Sequence, residues 1–108
     1  MMLDNGHPRV DAGRLEIRPD EHAALVDGRP LNLTMRELQL LTILASHPQR
    51  IMTRDELYEQ VWGRRQQRAD RSVDVYVSRL RSKLGRAIPE LRLIHTHTGI
   101  GYRFSPDG

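Results

Sequence analysis

The residues best suited to bind a charged ligand are concentrated between positions 64 and 86. Eight basic residues lie in this segment against two acidic ones, and seven of the eight are arginine. The planar guanidinium group can donate two parallel hydrogen bonds to a phosphate group or to the edge of a guanine base. A cluster of positive charge of this kind is typical of a surface that binds nucleic acid. An ordinary solvated helix face is the alternative, since arginine is the common basic residue throughout this chain.

The spacing within this segment predicts an amphipathic helix over about residues 70–84. At about 100° per residue, one face collects four apolar residues, Val73, Val77, Leu80 and Leu84. The opposite face is centred on Arg79 and collects Ser72, Val75, Tyr76, Ser82, Lys83 and Arg86. A solvated face would more usually mix acidic and basic residues at four-residue spacing, and this face has no acidic residue. Its hydroxyl groups, apolar side chain and cations favour contact with base edges and phosphates in a DNA major groove.

Length and composition exclude several other classes of protein. The chain has 108 residues, net charge +3 and no cysteine. This length is typical of one domain that buries its core without disulfides or a structural metal, and thiol chemistry is excluded. The basic charge is concentrated in residues 50–108, which hold twelve basic and seven acidic residues. The longest apolar stretch, residues 40–45, is far shorter than the roughly 20 residues of a membrane-spanning helix, so we expect a cytoplasmic protein.

The remaining pattern predicts a small sheet, three helices and a hairpin. Residues 1–13 have no apolar period and are assigned to a tail or linker remnant. Alternation over 14–18, a short apolar run over 22–26 and the dipeptide Asp27-Gly28 predict antiparallel strands joined by a tight turn. An extended run over about 91–96 and a second one over 102–104 predict a C-terminal hairpin.

Two capping boxes predict where the first two helices begin. Thr34 with Glu37 and Thr53 with Glu56 have the spacing at which a hydroxyl and a carboxylate satisfy the first free amide groups. Pro48 is expected to end the first helix, and a left-handed Gly63 the second. The third helix is expected to end at Gly85.

Four blocks occur in the same order and spacing in one known family. They are VWG at 61–63, DRSVDV at 70–75, RLRSKL at 79–84 and GIGYRF at 99–104. Through them, residues 14–105 resemble the winged-helix effector domain of OmpR/PhoB-type response regulators. The resemblance implies an α+β fold, a winged helix-turn-helix with an N-terminal four-stranded antiparallel sheet, three helices and a C-terminal β-hairpin wing. The receiver domain of the family has no counterpart in this sequence, which is compatible with a separated C-terminal domain or with another mode of control.

The resemblance also implies a function in transcription. A bacterial regulator of this type binds specific sequences of double-stranded DNA, with the third helix in the major groove and the wing, here about residues 91–104, at the minor groove. Members usually bind tandem direct repeats, so we expect a monomer that pairs on DNA. The loop of residues 64–69, with Arg64, Arg65 and Arg68, corresponds to the segment that touches RNA polymerase.

Positions that contact DNA in the family can be carried over to this chain. Bases or phosphates are contacted at the positions of Arg71, Ser72, Val75, Tyr76, Arg79 and Arg81, and the backbone often at those of Trp62 and Thr96. Arg81 lies about 160° from Arg79 and is also placed for an ion pair with Asp74. Lys83 is included because it lies on the acid-free face. Thr98 replaces an arginine that many relatives carry at the wing tip, and a protonated His97 could partly substitute for it.

Other interpretations of these residues remain open at this point. The cations could instead pair with an acidic protein partner, in a winged-helix module for interaction or dimerisation. Trp62 and Tyr102 are better suited to packing than to contact. His95 and His97 share one side of a strand but have no third metal ligand near them in sequence, so we expect no metal and no cofactor. No nucleophile–base pair is evident, and an enzyme that acts on a small molecule is not predicted.

Overall fold

The computed structural model describes residues 9–63 and 71–108. The strands in these ranges are β1 (Val10–Ala12), β2 (Leu15–Arg18), β3 (Ala23–Val26), β4 (Arg29–Pro30), β5 (Ile51–Thr53), β6 (Ile94–His97) and β7 (Gly101–Phe104). The α-helices are α1 (Met35–Ala45), α2 (Arg54–Trp62) and α3 (Ser72–Ala87), and a 3-10 helix spans Pro19–Glu21. Within the two described ranges, no helix has the length and apolar character needed to cross a membrane.

The first four strands form one antiparallel sheet in chain order, which confirms the four-stranded sheet implied by the resemblance. Val10 in β1 pairs with Ile17 in β2, and Ala12 pairs with Leu15. The prediction of a tail through residue 13 is therefore wrong for residues 10–12. A three-residue strand is too short to show a periodic pattern of its own, and its pairing with β2 defines it.

The turn between β3 and β4 confirms the predicted hairpin. Val26 pairs with Arg29, so Asp27 and Gly28 are the two residues of the turn. Both have positive φ, 53° and 80°, as a type I′ turn requires. Pro30 lies in the edge strand β4, where its missing N–H group is tolerated.

Both predicted capping boxes are present at the starts of α1 and α2. The Thr34 hydroxyl accepts from the Glu37 amide at 3.2 Å, and the Glu37 carboxylate accepts from the Thr34 amide at 2.8 Å. Thr53 and Glu56 make the equivalent pair of bonds at 3.1 and 2.9 Å. Gly63 ends α2 in the left-handed conformation, with φ 75°.

The end of α3 differs from the prediction. Gly85 lies inside the helix, which continues to Ala87. Ile88 leaves the helical conformation, with φ −143° and ψ 67°. It precedes Pro89, whose ring disfavours the helical conformation in the residue before it. The proline, and not the glycine, therefore sets the end of the helix.

The C-terminal hairpin is confirmed, but it belongs to a three-stranded sheet with the order β5-β7-β6. β6 begins at Ile94, three residues after the predicted start. β5 is not predicted, because three residues between two helices carry no readable alternation. Gly101 lies opposite Thr53, and a Cβ atom at Gly101 would overlap the carbonyl oxygen of Met52. The close approach of β5 therefore requires glycine at this position.

The core lies between the helices and the two sheets. The apolar face predicted for the third helix is confirmed, since Val73, Val77, Leu80 and Leu84 are at most 4% exposed. They pack in one cluster with residues of both sheets, among them the fully buried Ile17 and Phe104. The opposite face of α3 is thereby left on the surface.

Candidate nucleic-acid interface

The outer face of α3 is the most distinctive surface of the described chain. Its exposed residues are Val75, Ser78, Arg79, Ser82, Gly85 and Arg86, and Arg71 is exposed at the N-terminal end of the helix. None of them is acidic. The helix thus separates its apolar and polar residues as predicted. An uncompensated row of cations and hydroxyl groups can accept a polyanion without first breaking ion pairs.

Arg79 stands at the centre of this face. Among residues 9–63 and 71–108, no carboxylate pairs with its guanidinium group. The guanidinium carbon lies 5.2 Å from the centre of the Tyr76 ring, within range of a cation–π interaction. The Arg79 side chain therefore lies over the Tyr76 ring. Its N–H groups are not paired with a carboxylate of the described residues and can donate to a ligand.

Tyr76 is supported from behind by the aromatic residues of α2. Its ring meets Trp62 edge to face at 5.5 Å and 63°. Trp62 in turn stacks on the fully buried Tyr58 at 4.9 Å, and Arg36 lies over the Trp62 ring at 5.5 Å. Trp62 is partly exposed and packs against the core. Its packing role is therefore evident, and contact with DNA backbone stays a prediction.

Arg81 does not form the ion pair with Asp74 that the sequence suggests. Its Nε and Nη2 atoms donate to the carbonyl oxygen of Ile94 at 3.3 and 3.2 Å, and Nη2 also donates to the Thr96 hydroxyl. Burial lowers the pKa of Arg81 below its ordinary value. The prediction of an Arg81–Asp74 pair is wrong, because the hairpin supplies acceptors that helix geometry alone cannot reveal.

Asp74 is instead bound by residues of α2 and β7. Arg54 Nε donates to its carboxylate at 2.8 Å, and the Tyr102 hydroxyl donates to the same oxygen. Burial alone would raise the pKa of Asp74, but the bonds from Tyr102 and Arg54 hold it below its ordinary value. Tyr102 itself is 5% exposed, as its predicted packing role requires. The residue type and the helix position of Asp74 were available from sequence, but these partners were not.

Lys83 points away from the exposed face, although the helical wheel places it there. Its ammonium group donates to the Glu37 carboxylate at 2.6 Å and to the Asn32 carbonyl oxygen at 2.8 Å. Glu37 is 1% exposed, and although burial raises its pKa, Lys83 and Thr34 hold the pKa below the ordinary value of 4.5. The structure therefore gives Lys83 a partner in the protein, and we omit it from the proposed DNA contacts.

The wing presents few charged groups at its tip. Thr98 and Ile100 are exposed in the turn between β6 and β7, and Ile100 is 53% exposed. His97 Nε2 accepts from Arg103 Nε at 3.1 Å, so this ring nitrogen already has a partner within the wing. Thr96 is exposed, but its hydroxyl is engaged by Arg81. The wing tip is therefore better suited to van der Waals contacts with a groove than to ion pairs with phosphates.

Two further predictions concern the basic loop and the histidines of the wing. Arg64, Arg65 and Arg68 lie outside the described residues. His95 Nε2 is buried and without a hydrogen-bond partner in the described part of the chain, and burial, followed by the nearby Arg103, lowers the pKa of His95. In residues 9–63 and 71–108, no group of three or more potential ligands is arranged to hold a metal ion.

The amino-acid sequence of this chain is similar to those of known transcriptional regulators. Residues 28–104 match the sequence model of the family described as "Transcriptional regulatory protein, C terminal". The phosphate regulon transcriptional regulatory protein PhoB of Pseudomonas aeruginosa is 38% identical over 96 residues. The aligned region covers 89% of this chain and 41% of that relative, so the chain spans less than half of its length.

Solved structures with the same fold include DNA-binding domains. The DNA-binding domain of CpxR from E. coli superposes with a TM-score of 0.84 at 31% identity, covering 94% of this chain and 99% of that domain. The RstA DNA-binding domain of Klebsiella pneumoniae, in complex with the RstA box, superposes with a TM-score of 0.81 at 36% identity. That match covers 93% of this chain and 99% of the RstA chain.

Proposed function

Because this chain belongs to the OmpR/PhoB-type family of transcriptional-regulator C-terminal domains, we propose that it binds specific sequences of double-stranded DNA. In this proposal α3 enters the major groove and the turn of the β6–β7 hairpin lies at the adjacent minor groove. The observation that carries the proposal is the exposed, acid-free face of α3 with Arg79 at its centre. The RstA domain, which has the same fold and is solved in complex with the RstA box, supports binding to DNA.

The proposed contacts combine the positions carried over from the family with residues that are at least partly exposed. Arg79 donates to the edge of a guanine, and Val75 lies against a thymine methyl group. The residues that bind phosphate or sugar groups around them are Arg71, Ser72, Tyr76, Trp62, Thr96 and Thr98. Arg81 acts through the hairpin rather than by direct contact, since its guanidinium group is occupied by Ile94 and Thr96.

The proposal extends to partners and place of action. The chain binds as a pair on two direct repeats and acts in transcription with RNA polymerase, in the cytoplasm where bacterial DNA lies. It carries out no catalytic step of its own.

The rival proposal is a winged-helix module that pairs its cations with an acidic protein. Sequence-selective duplex binding separates the two, because an acidic protein partner requires no base discrimination.

The central experiment removes the guanidinium group of Arg79. A duplex selected from random sequences on the purified chain serves as the specific probe, with a scrambled duplex of equal composition beside it. Arg79→Ala should cost about 1–3 kcal/mol on the selected duplex and much less on the scrambled one, because a bidentate guanine contact is lost. The control is Arg29→Ala, which removes an equal charge from an exposed residue of β4. Equal losses on both duplexes for Arg79→Ala would show that the base-reading residue lies elsewhere.

A separate experiment addresses the loop of residues 64–69. Replacing Arg64, Arg65 and Arg68 together with alanine should leave the affinity for the selected duplex within a few fold and lower activated transcription in vitro. The reason is that these cations are assigned to RNA polymerase and not to DNA. A collapse of duplex binding would instead assign the loop to the DNA interface. Arg29→Ala removes one exposed positive charge outside the loop and so gives the effect on duplex binding to expect for each of the three charges lost.

A further inference from the structure

One carboxylate of α3 joins three elements of the fold. Asp74 accepts a hydrogen bond from Arg54 of α2 at 2.8 Å and one from the hydroxyl group of Tyr102 in β7. Tyr102 is buried, and the guanidinium group of Arg54 also lies over its ring at 5.2 Å. The start of α3 is thereby tied to the strand that returns from the wing tip.

Two turns further along α3, Arg81 ties the same helix to the other strand of the wing. It donates to the carbonyl oxygen of Ile94 and to the hydroxyl group of Thr96, both in β6. Its guanidinium carbon lies 5.5 Å from the centre of the Tyr102 ring. Both strands of the hairpin are therefore held against α3 by side chains, and Tyr102 is shared by the two attachments. We call Arg54, Asp74, Arg81 and Tyr102 the helix–hairpin network.

The charges of the helix–hairpin network suit a permanent attachment. The Tyr102 and Arg54 bonds favour the ionised form of Asp74, although burial opposes it. Burial, followed by the bond to Asp74, raises the pKa of Tyr102, so its hydroxyl group stays a donor at neutral pH. The Asp74 carboxylate is partly exposed and has two donors, and the Tyr102 phenol lies between two guanidinium groups, so each group of the network is already paired within the protein.

We propose that Asp74, Tyr102 and Arg81 are positioning residues that fix the wing against α3, so that DNA contacts made by the wing tip and by α3 are energetically coupled. This inference rests on the proposed DNA binding. A hairpin that is already ordered does not have to be immobilised when DNA binds, and the spacing between its tip and Arg79 is set in the free protein. The network residues themselves do not touch DNA.

The experiment combines a network variant with a variant of the wing tip. Thr98→Arg places a cation at the exposed tip, and we expect it to raise the affinity for the selected duplex about threefold to tenfold, as one net hydrogen bond would. Tyr102→Phe removes only the hydroxyl group that bonds to Asp74. In the Tyr102→Phe background, the gain from Thr98→Arg should fall to less than about twofold, because the tip is no longer held in place.

A second measurement is independent of DNA. Amide hydrogen exchange of residues 97–101 in the free protein should rise several-fold in Tyr102→Phe, while exchange in α1 should stay unchanged. Thr42→Val is the matched control, because it removes a buried hydroxyl group that bonds to Leu38 within α1. If Tyr102→Phe does not fold, Asp74→Asn tests the same attachment with a side chain of the same shape.

The outcomes separate the two proposals. A wild-type chain that binds selected and scrambled duplexes equally would overturn the proposed function, and the coupling with it, before any network variant is compared. A wild-type chain that discriminates between them, together with an equal Thr98→Arg gain in both backgrounds, would overturn the coupling alone. If Thr98→Arg raises the duplex affinity in neither background, the coupling is also overturned, because the wing tip then makes no DNA contact that could be coupled to α3.

Discussion

At the scale of single residues, neighbouring cations of α3 differ in role because their surroundings differ. Arg79 is exposed, and no described carboxylate pairs with it. Arg81 and Lys83, two and four residues later, are occupied by the wing and by Glu37. A charged group already held by protein acceptors has less to gain from a phosphate, since it must first give up those bonds. Residue type alone therefore does not predict which cations of α3 are already bonded within the protein.

The role of Lys83 can be tested by its effect on stability. Lys83→Met keeps most of the aliphatic stem and removes the ammonium group that pairs with the buried Glu37. We expect the free energy of unfolding to fall by about 1–3 kcal/mol, because a buried acceptor loses its partner. Urea unfolding measures this loss, and duplex affinity should hardly change at temperatures where the variant is folded.

The matched control is Arg86→Met, a loss of charge at an exposed position on the same helix. Its effect on the free energy of unfolding should stay within about 0.5 kcal/mol. An unaltered stability of Lys83→Met, with weaker binding to every duplex, would mean that Lys83 contacts phosphate after all.

At the scale of elements, signals within a few residues of each other predict helix starts and tight turns well. The two threonine caps, the Asp27-Gly28 turn and the left-handed Gly63 are all confirmed. The end of α3 is missed because the prediction relied on Gly85 and gave too little weight to Pro89. The strand β5 is missed because its evidence lies about fifty residues away, in its pairing with β7.

Two glycines provide a test of these elements with the same chemical change. Gly101→Ala should destabilise the chain, because the added Cβ would overlap the Met52 carbonyl oxygen and push β5 away from β7. Gly85→Ala should stabilise it by about 0.5–1 kcal/mol, because alanine loses less backbone entropy in a helix and nothing lies within 4 Å of the added Cβ. Thermal unfolding of both variants beside the wild type measures the opposite shifts. Shifts of the same sign would contradict this account of the β5–β7 contact or of the α3 end.

At the scale of the whole molecule, the described surface offers no obvious interface for a permanent dimer. The large apolar residues exposed in residues 9–63 and 71–108 are Met35, Ile51, Val75 and Ile100. They belong to α1, β5, α3 and the wing turn, that is, to four separate parts of the fold. Single apolar residues scattered in this way are normal for a monomer, whereas obligate dimers usually present a large contiguous patch.

We therefore expect the chain to be a monomer in solution and to pair only on DNA. Sedimentation velocity at micromolar concentration should give a single species of monomer mass without DNA. With a duplex of two direct repeats about one helical turn apart, it should give a complex of two chains, since that spacing places both copies on one face of the duplex. A duplex with one repeat is the control and should bind one chain. A stable dimer without DNA would contradict the expectation.

The helix starts, the hairpin turns, the two faces of α3 and the family can be predicted from the amino-acid sequence, because they depend on neighbours a few residues apart or on local blocks of residues. The partners of the polar residues beneath the proposed DNA face cannot, because they come together only in the folded chain. Lys83 and Glu37 are 46 residues apart, and Asp74 and Tyr102 are 28 apart. Whether such groups meet depends on how sheet, helices and hairpin pack together. The same packing decides which cations of α3 remain exposed and which are bonded to the wing.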